Sequence, residues 1–474
     1  MDTLNCSTCD NPLLMTTPSR DISPMPPGLN EKGNADMTPS DKLCEYAALN
    51  NVQEAETLLG QGIDPNYQAD GGNTPLIIAT KEHSTAMVNL LLVQGALPNL
   101  TNDKKRTPLM YASRCGNVEA VEILIRAGGK INSQDSEGYT ALQMASKSGK
   151  DKVVELLLSG GKCSIATKNK WGHTALHDAS KCGHLAIVQI LLRHGSNPNA
   201  RDRWSNTALM YATLHGHVDI VATLVDAGCD VNISNKGSRN ALHTAAQNGH
   251  TEIVRILLQQ CADLDYQDAD GNTPLLLAGR YQYYSIMKVL VECGCEVESV
   301  DKFGKSALHF AAAHGFQDIV ELLIQRGALP DQADINGNTA LIFAVRRNFV
   351  DIVKVLLYKN CDVRRQCTIA GRKYELLATA LRNGYKQLIR LLVSAGCSLN
   401  CYQPIVSANS LHQSIQDDAN ISSWLHLVAV CPMPLMQQCR LVIRQSLTCN
   451  IEYEVHFLPL PCKLKDYLLL KDIF

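Results

Sequence analysis

The sequence predicts an all-α solenoid of stacked helix pairs, and three observations carry that expectation. A phrase of eight residues keeps returning: "NTPLIIAT" from Asn73 comes back as "RTPLMYAS", "YTALQMAS", "HTALHDAS", "NTALMYAT", "RNALHTAA", "NTPLLLAG", "KSALHFAA" and "NTALIFAV". Aligned on its threonine position, the series runs Thr74, Thr107, Thr140, Thr174, Thr207, Asn240, Thr273, Ser306 and Thr339, in steps of 33 with one step of 34. Glycines punctuate the copies at two recurring places. Such a period marks one supersecondary unit that buries its apolar face only against its neighbours.

Each element of the phrase has a physical reason. Threonine caps a helix N-terminus, and proline at the next position tolerates the missing donor there. The leucine, and the alanine three positions after it, face a neighbouring helix, where small side chains allow close packing. A glycine (Gly116, Gly149, Gly183, Gly216, Gly249 or Gly315) breaks the chain before a second helix such as "DIVELLIQRG". That helix stops at another glycine, the residue that takes a left-handed C-terminal cap without strain. A worn copy precedes the series ("DKLCEYAALNNVQEAETLLGQG") and another follows a three-residue insertion ("YELLATALRNGYKQLIRLLVSAG"). About eleven units therefore fill residues 41–403.

The period and the TPLHxA phrase resemble the ankyrin repeat over roughly three quarters of the chain. The resemblance implies an ankyrin-repeat solenoid, with helix pairs joined by β-hairpin fingers. Fingers and first helices of such arrays bind other proteins, and the fold carries no chemistry of its own.

Composition narrows the class further. A chain of 474 residues exceeds one ordinary core, and a net charge of −2 leaves no basic footprint for nucleic acid. No apolar run approaches the ~20 residues a bilayer needs, so no membrane partner is expected. The start, "MDTLNCSTCDNPLLMTT", lacks a basic leader and a signal-peptide core. Its eighteen cysteines are therefore expected reduced in the cytoplasm, with the nucleus also open to the protein. Residues 1–40, rich in Pro, Ser, Thr and Asn, read as a disordered leader.

Candidate chemistry dissolves on inspection. Cys6 and Cys9 form a lone CxxC with no second pair, so neither metal nor cofactor is expected. Cys229, Cys295, Cys361 and Cys397 share one repeat position where other copies carry alanine, and read as small core residues. His177, His243 and His309 hold the fourth place of the phrase, and His184, His217 and His250 follow the inter-helix glycine. Recurrence at repeat positions points to structural hydrogen bonds rather than metal ligation. No nucleophile–base constellation or phosphate loop appears, so the chain is not expected to be an enzyme.

Two places are candidates for binding a protein substrate. Trp171, Trp204 and Phe303 stand three residues before the threonine position, which the resemblance puts near a finger tip. Exposed aromatics there are candidate anchors, or else they pack on the adjacent finger. In "GRYQYYSIM", Gln282 replaces the glycine, and Tyr281, Tyr283 and Tyr284 crowd the turn. A local packing variation explains that cluster equally well.

The chain ends in a different grammar. From Pro434, Leu435, Cys439, Val442 and Ile443 share one helical arc, a stripe that would also suit an end cap. The spacing P-L-x-x-x-C-x-x-x-I resembles the elongin C-binding box of the SOCS-box motif. The resemblance implies that Leu435, Cys439 and Ile443 contact elongin C, which works with elongin B. Downstream, Leu458, Pro459, Leu460 and Pro461 spell LPLP, a segment its prolines hold extended. With the following "KLKDYLLL" it resembles a cullin box that favours cullin-5 and its RING partner. The whole chain resembles the ankyrin-repeat and SOCS-box family, which implies a SOCS box at 431–474 and a linker or degenerate repeat at 404–430. The implied role is a non-catalytic substrate receptor of a ubiquitin ligase. The alternative is an ankyrin scaffold or inhibitor whose last segment merely seals the array.

Overall fold

A computed structural model describes residues 37–430 apart from 360, 364–366, 370–371, 375, 398–404 and 406–410. The chain divides into two compact units, one of residues 1–245 and 255–262, the other of 246–254 and 263–474. The first holds α1 (Pro39–Leu49), α2 (Val52–Gly60), α3 (Pro75–Lys81), α4 (Thr85–Val93), α5 (Pro108–Cys115) and α6 (Val118–Arg126). It continues with α7 (Ala141–Lys147), α8 (Asp151–Ser159), α9 (Ala175–Cys182), α10 (Leu185–Arg193), α11 (Ala208–Leu214) and α12 (Val218–Asp226). The residues of α13 (Ala241–Asn248) and α14 (Thr251–Gln259) are shared between the units.

Helix starts follow the phrase. Thr74 Oγ1 accepts from Ile77 N at 3.2 Å and Thr107 Oγ1 from Met110 N at 3.3 Å, each with proline next in line. Ahead of them, Thr38 and Asp41 form a reciprocal capping box, with both N–H···O distances 3.2 Å. First helices stop where Gly116 and Gly183 turn left-handed, at φ 86° and 80°. Second helices close with a 6→1 hydrogen bond, as in Ala96 N to Leu91 O and Ser196 N to Leu191 O, both 2.9 Å. First helices pack on first helices (α3, α5, α7, α9, α11 in succession) and second on second. Leu76, Ala79, Leu109, Ala112, Leu176 and Ala179 are at most 1 % exposed, which makes the phrase itself the core.

The second unit repeats the plan with α15 (Pro274–Arg280), α16 (Tyr284–Glu292), α17 (Ala307–His314), α18 (Gln317–Gln325), α19 (Ala340–Arg346) and α20 (Val350–Tyr358). A short antiparallel ribbon follows, β1 (Cys367–Ile369) on β2 (Arg372–Tyr374), with Thr368 opposite Lys373. It lies in the one finger that carries the three-residue insertion. The finger before α17 adds an isolated antiparallel bridge between Val300 and Ser306, and the remaining described fingers close through backbone hydrogen bonds without extended strands. After α21 (Leu376–Asn383) and α22 (Lys386–Ser394), the segment before residue 431 holds α23 (Gln413–Gln416) and α24 (Ala419–Val430). Ile415, Ile421 and Leu425 there are fully buried, and Lys386 Nζ pairs with Asp418 Oδ2 at 2.7 Å. Cys295, Cys361 and Cys397 are buried, whereas Cys229 is half-buried. Burial pushes the Cys295 thiol up to about 12, out of reach of a nucleophilic role.

Candidate protein-binding face of the repeats

Eight successive fingers, from residue 102 to residue 338, are each built on one side chain. Asn102 Oδ1 accepts from the N–H groups of Lys104 and Arg106 at 3.1 and 3.0 Å. Asp202 Oδ1 accepts from Trp204 and Asn206, both at 2.8 Å, and Asp301 Oδ1 from Phe303 and Lys305 at 2.8 and 2.9 Å. Asp135, Asn169, Asn235, Asp268 and Asp334 do the same. The acceptor nucleates a tight turn without strand pairing. Sequence reasoning missed these residues. The available signal was an Asn or Asp five places before the threonine position, visible once the copies are aligned.

Fingers are then tied in series by backbone. The carbonyl of Lys104 accepts from Ser136 N at 2.9 Å, that of Trp171 from Arg203 N at 3.0 Å, and that of Trp204 from Lys236 N at 2.9 Å. In the second unit Phe303 O accepts from Ile335 N at 3.1 Å. The position singled out for its aromatics is thus a finger-tip joint. The Trp171 ring is half-buried and lies 5.7 Å from the ring of Tyr139 on the preceding finger. Trp204 is half-buried. Phe303 is 45 % exposed, under the Lys302 ammonium at 5.5 Å. Of the tyrosines, Tyr281 is exposed and its hydroxyl accepts from Gln247 Nε2 at 3.4 Å. Tyr283 covers Gly249, where an added Cβ would stand 2.4 Å from the ring. Gln282 takes the glycine's left-handed backbone at φ 68°.

His177 and His309 carry hydrogen bonds at both ring nitrogens. His177 Nδ1 accepts from Thr174 N at 3.2 Å, which leaves Nε2–H to donate to Asn206 O on the next finger at 3.2 Å. His309 does the same with Ser306 N and Asn338 O, both at 3.0 Å. Gln143, at the same repeat position, reproduces the bridge through Oε1 to Thr140 N and Nε2 to His173 O. His184 and His217 donate Nε2–H to the carbonyls of Lys147 and Lys181 at 3.2 and 3.3 Å. These imidazoles are consumed as inter-repeat pins.

One buried network is more than a pin. His173 Nδ1 meets Asp178 Oδ1 at 3.2 Å, and its Nε2 meets the Tyr211 hydroxyl at 3.1 Å. That hydroxyl donates to Asp202 Oδ2 at 2.7 Å, so it offers His173 only a lone pair. Both ring nitrogens must then donate, which makes the ring an imidazolium between two carboxylates. Burial lowers the His173 pKa, yet hydrogen bonds to Asp178 and Asp202 outweigh it and raise the value above the ordinary 6.5. Burial alone would raise the Asp202 carboxyl, but its bonds from His173, Tyr211 and Asn206 hold it below the usual range. Burial, aided by the neighbouring His173 charge, pulls His177 down to about 4. The stacked rings therefore sit 5.7 Å apart in opposite protonation states.

Among the described residues no helix is long and apolar enough to cross a membrane. Leu435, Cys439, Ile443, Leu458, Pro459, Leu460 and Pro461 lie outside the described residues. A comparison with curated proteins finds no match. The family model described as ankyrin repeats (3 copies) matches overlapping windows at 43–135, 85–169, 110–202, 161–235, 209–301 and 282–367. A SOCS-box model matches residues 431–469. Both are non-catalytic adaptor modules. With repeats over more than half of its length and the box after them, the chain belongs to the ankyrin-repeat and SOCS-box family.

Proposed function

We propose that the protein is the substrate receptor of a cullin-5–elongin B/C–RING ubiquitin ligase. The repeats hold a protein substrate, the SOCS box docks that substrate on the ligase core, and the product is a ubiquitinated substrate destined for proteasomal degradation. The observation that carries this reading is the SOCS-box match at 431–469, in one chain with the repeat matches that end at 367. Such a receptor contributes proximity and orientation and makes no covalent bond itself. Leu435, Cys439 and Ile443 are the proposed elongin C contacts, and Leu458 to Pro461 the proposed cullin contact. Trp171, Trp204, Phe303, Tyr281 and Tyr283 are proposed for the substrate side.

The test separates the two docking halves. Leu435→Ala with Cys439→Phe should abolish elongin C capture, since one change removes a packed leucine and the other overfills the space beside it. Those losses are on the order of 2–5 and 1–3 kcal/mol, enough to turn a nanomolar complex into a barely detectable one. Leu458→Ala with Pro459→Ala should spare elongin C and reduce cullin-5 recovery. If both variants kept both partners in pull-downs, the segment would be an end cap and the protein a scaffold.

A further inference from the structure

Seven residues after the threonine position, at the C-terminal end of successive first helices, the first unit places Lys81, Arg114, Lys147 and Lys181. The Lys81, Lys147 and Lys181 ammoniums stand 5.9, 5.2 and 5.6 Å over the rings of Tyr111, Tyr139 and Tyr211. Each is thereby held on an aromatic floor at modest entropic cost. Lys81, Arg114 and Lys147 make no ion pair among the described residues.

The carboxylates of the same repeats make no ion pair with Lys81, Arg114 or Lys147 among the described residues. Asp135, Asp178 and Asp202 are buried, engaged with finger backbone, Arg106 or His173. Glu82, Asp103 and Glu137 do reach solvent there, alongside the finger cations Lys104, Lys105, Lys170 and Arg203. The exposed balance of the face is positive, although the chain's net charge is −2.

We propose that this face of the first unit takes an acidic, extended segment of the substrate, with a carboxylate at about every third residue. The proposal rests on the receptor reading above and names the chemistry of its substrate. The spacing follows from the packing. First helices in contact lie about 8–10 Å apart, and an extended chain advances ~3.3 Å per residue, so carboxylates three apart meet successive cations. Four cations span about ten residues of such a segment. The face favours a peptide over nucleic acid, because Tyr111 and Tyr211 are buried under their lysines and offer no ring on which a base could stack.

The probe is a fluorescent peptide of about twelve residues carrying glutamate at every third position, titrated by anisotropy into the full chain. Glutamine in place of glutamate should weaken binding at least about tenfold, and so should raising the salt from low ionic strength to about 0.15 M. Lys147→Glu with Lys181→Glu should remove binding while elongin C capture is unchanged. Lys81→Gln with Arg114→Gln, a milder pair, should weaken it by about tenfold and guards against a folding defect. Equal affinity for the glutamine peptide, unchanged affinity in both variants, or tighter binding of an oligonucleotide of equal charge would overturn the proposal. Failure of the unaltered chain to capture elongin C would instead overturn the receptor reading, whatever the peptide does.

Discussion

Where the inter-helix turn hands over to the second helix, the two units use different side chains at one repeat position. The first has Asn117, Lys150, His184 and His217; the second, from residue 283 onward, has Tyr283, Phe316, Phe349 and Tyr385. His184 and His217 pin the preceding repeat by donating to its backbone, and Asn117 Nδ2 reaches Thr85 Oγ1 at 3.0 Å. Phe349 has no donor and works by covering Gly315, where an added Cβ would meet its ring at 2.9 Å. The cationic column differs in the same sense. Its second-unit counterparts are Arg280, paired with Asp301 at 2.7 Å, then Ala313 and Arg346. One backbone plan thus supports a polar version and an aromatic version of the inter-helix turn. The buried His173 cation between Asp178 and Asp202 should make the first unit the more sensitive of the two to pH and salt.

The sharpest way to break that contrast is Asp202→Asn. Asparagine keeps the finger turn, as Asn102 and Asn169 do, but strips the His173 cation of one carboxylate. Removing one partner of a buried pair costs about 3 kcal/mol. The sign follows from linkage. His173 is raised above 6.5, so its contribution is complete below that pH and is lost as pH rises through its folded value. Asp202 is lowered from 3.8, so its contribution is complete above that pH and is lost as pH falls through its folded value. His177, lowered to about 4, favours folding above 6.5 and costs stability as pH falls from there towards 4. Denaturant melts of the wild type should therefore peak near pH 6.5, and the variant should lose most just below it. Equal losses at acid and alkaline pH would show that His173 is not the charged partner.

A smaller effect separates backbone strain from the covering ring. Gly183 and Gly195 are both left-handed, at φ 80° and 85°. A Cβ on Gly183 would sit 2.8 Å from His217, whereas Gly195 faces open space. Gly195→Ala should cost about 1–2 kcal/mol from conformation alone. Gly183→Ala should cost about 2–4, because overpacking adds to the same strain. Equal shifts in the denaturation midpoint would mean that the imidazole swings away freely.

Much of this fold is legible in the sequence. The threonine, proline and glycine of the phrase act within one helix, so their spacing located the helices and the repeat joints directly. The histidines were readable as structural for the same reason, since each recurs with the phrase. The finger acceptors were not, because Asn and Asp alternate there and either looks like ordinary loop polarity. Tyr211 and Asp202 are harder to read as partners, since among the copies only Asn102 and Tyr111 repeat the nine-residue pairing. The column of Lys81, Arg114, Lys147 and Lys181 escaped because net charge averages it away and its members stand one repeat apart.

The mildest test lies in the second unit, at the turn where Gln282 stands in for glycine. Its φ of 68° is one that an ordinary side chain enters at a cost of roughly 1–2 kcal/mol. Gln282→Gly removes that strain but gives the unfolded chain more freedom, which returns about 0.5–1 kcal/mol. The net should be a gain of about 0.5 kcal/mol, read as a small rise in denaturation midpoint. Asn348 provides the control at φ 60°, because asparagine tolerates this conformation better than glutamine. Asn348→Gly should leave the midpoint in place or lower it slightly. If Gln282→Gly destabilised the protein instead, the glutamine side chain would be holding Tyr281 and Tyr283, and the crowded turn would be a built feature of the second unit rather than a strained substitute for glycine.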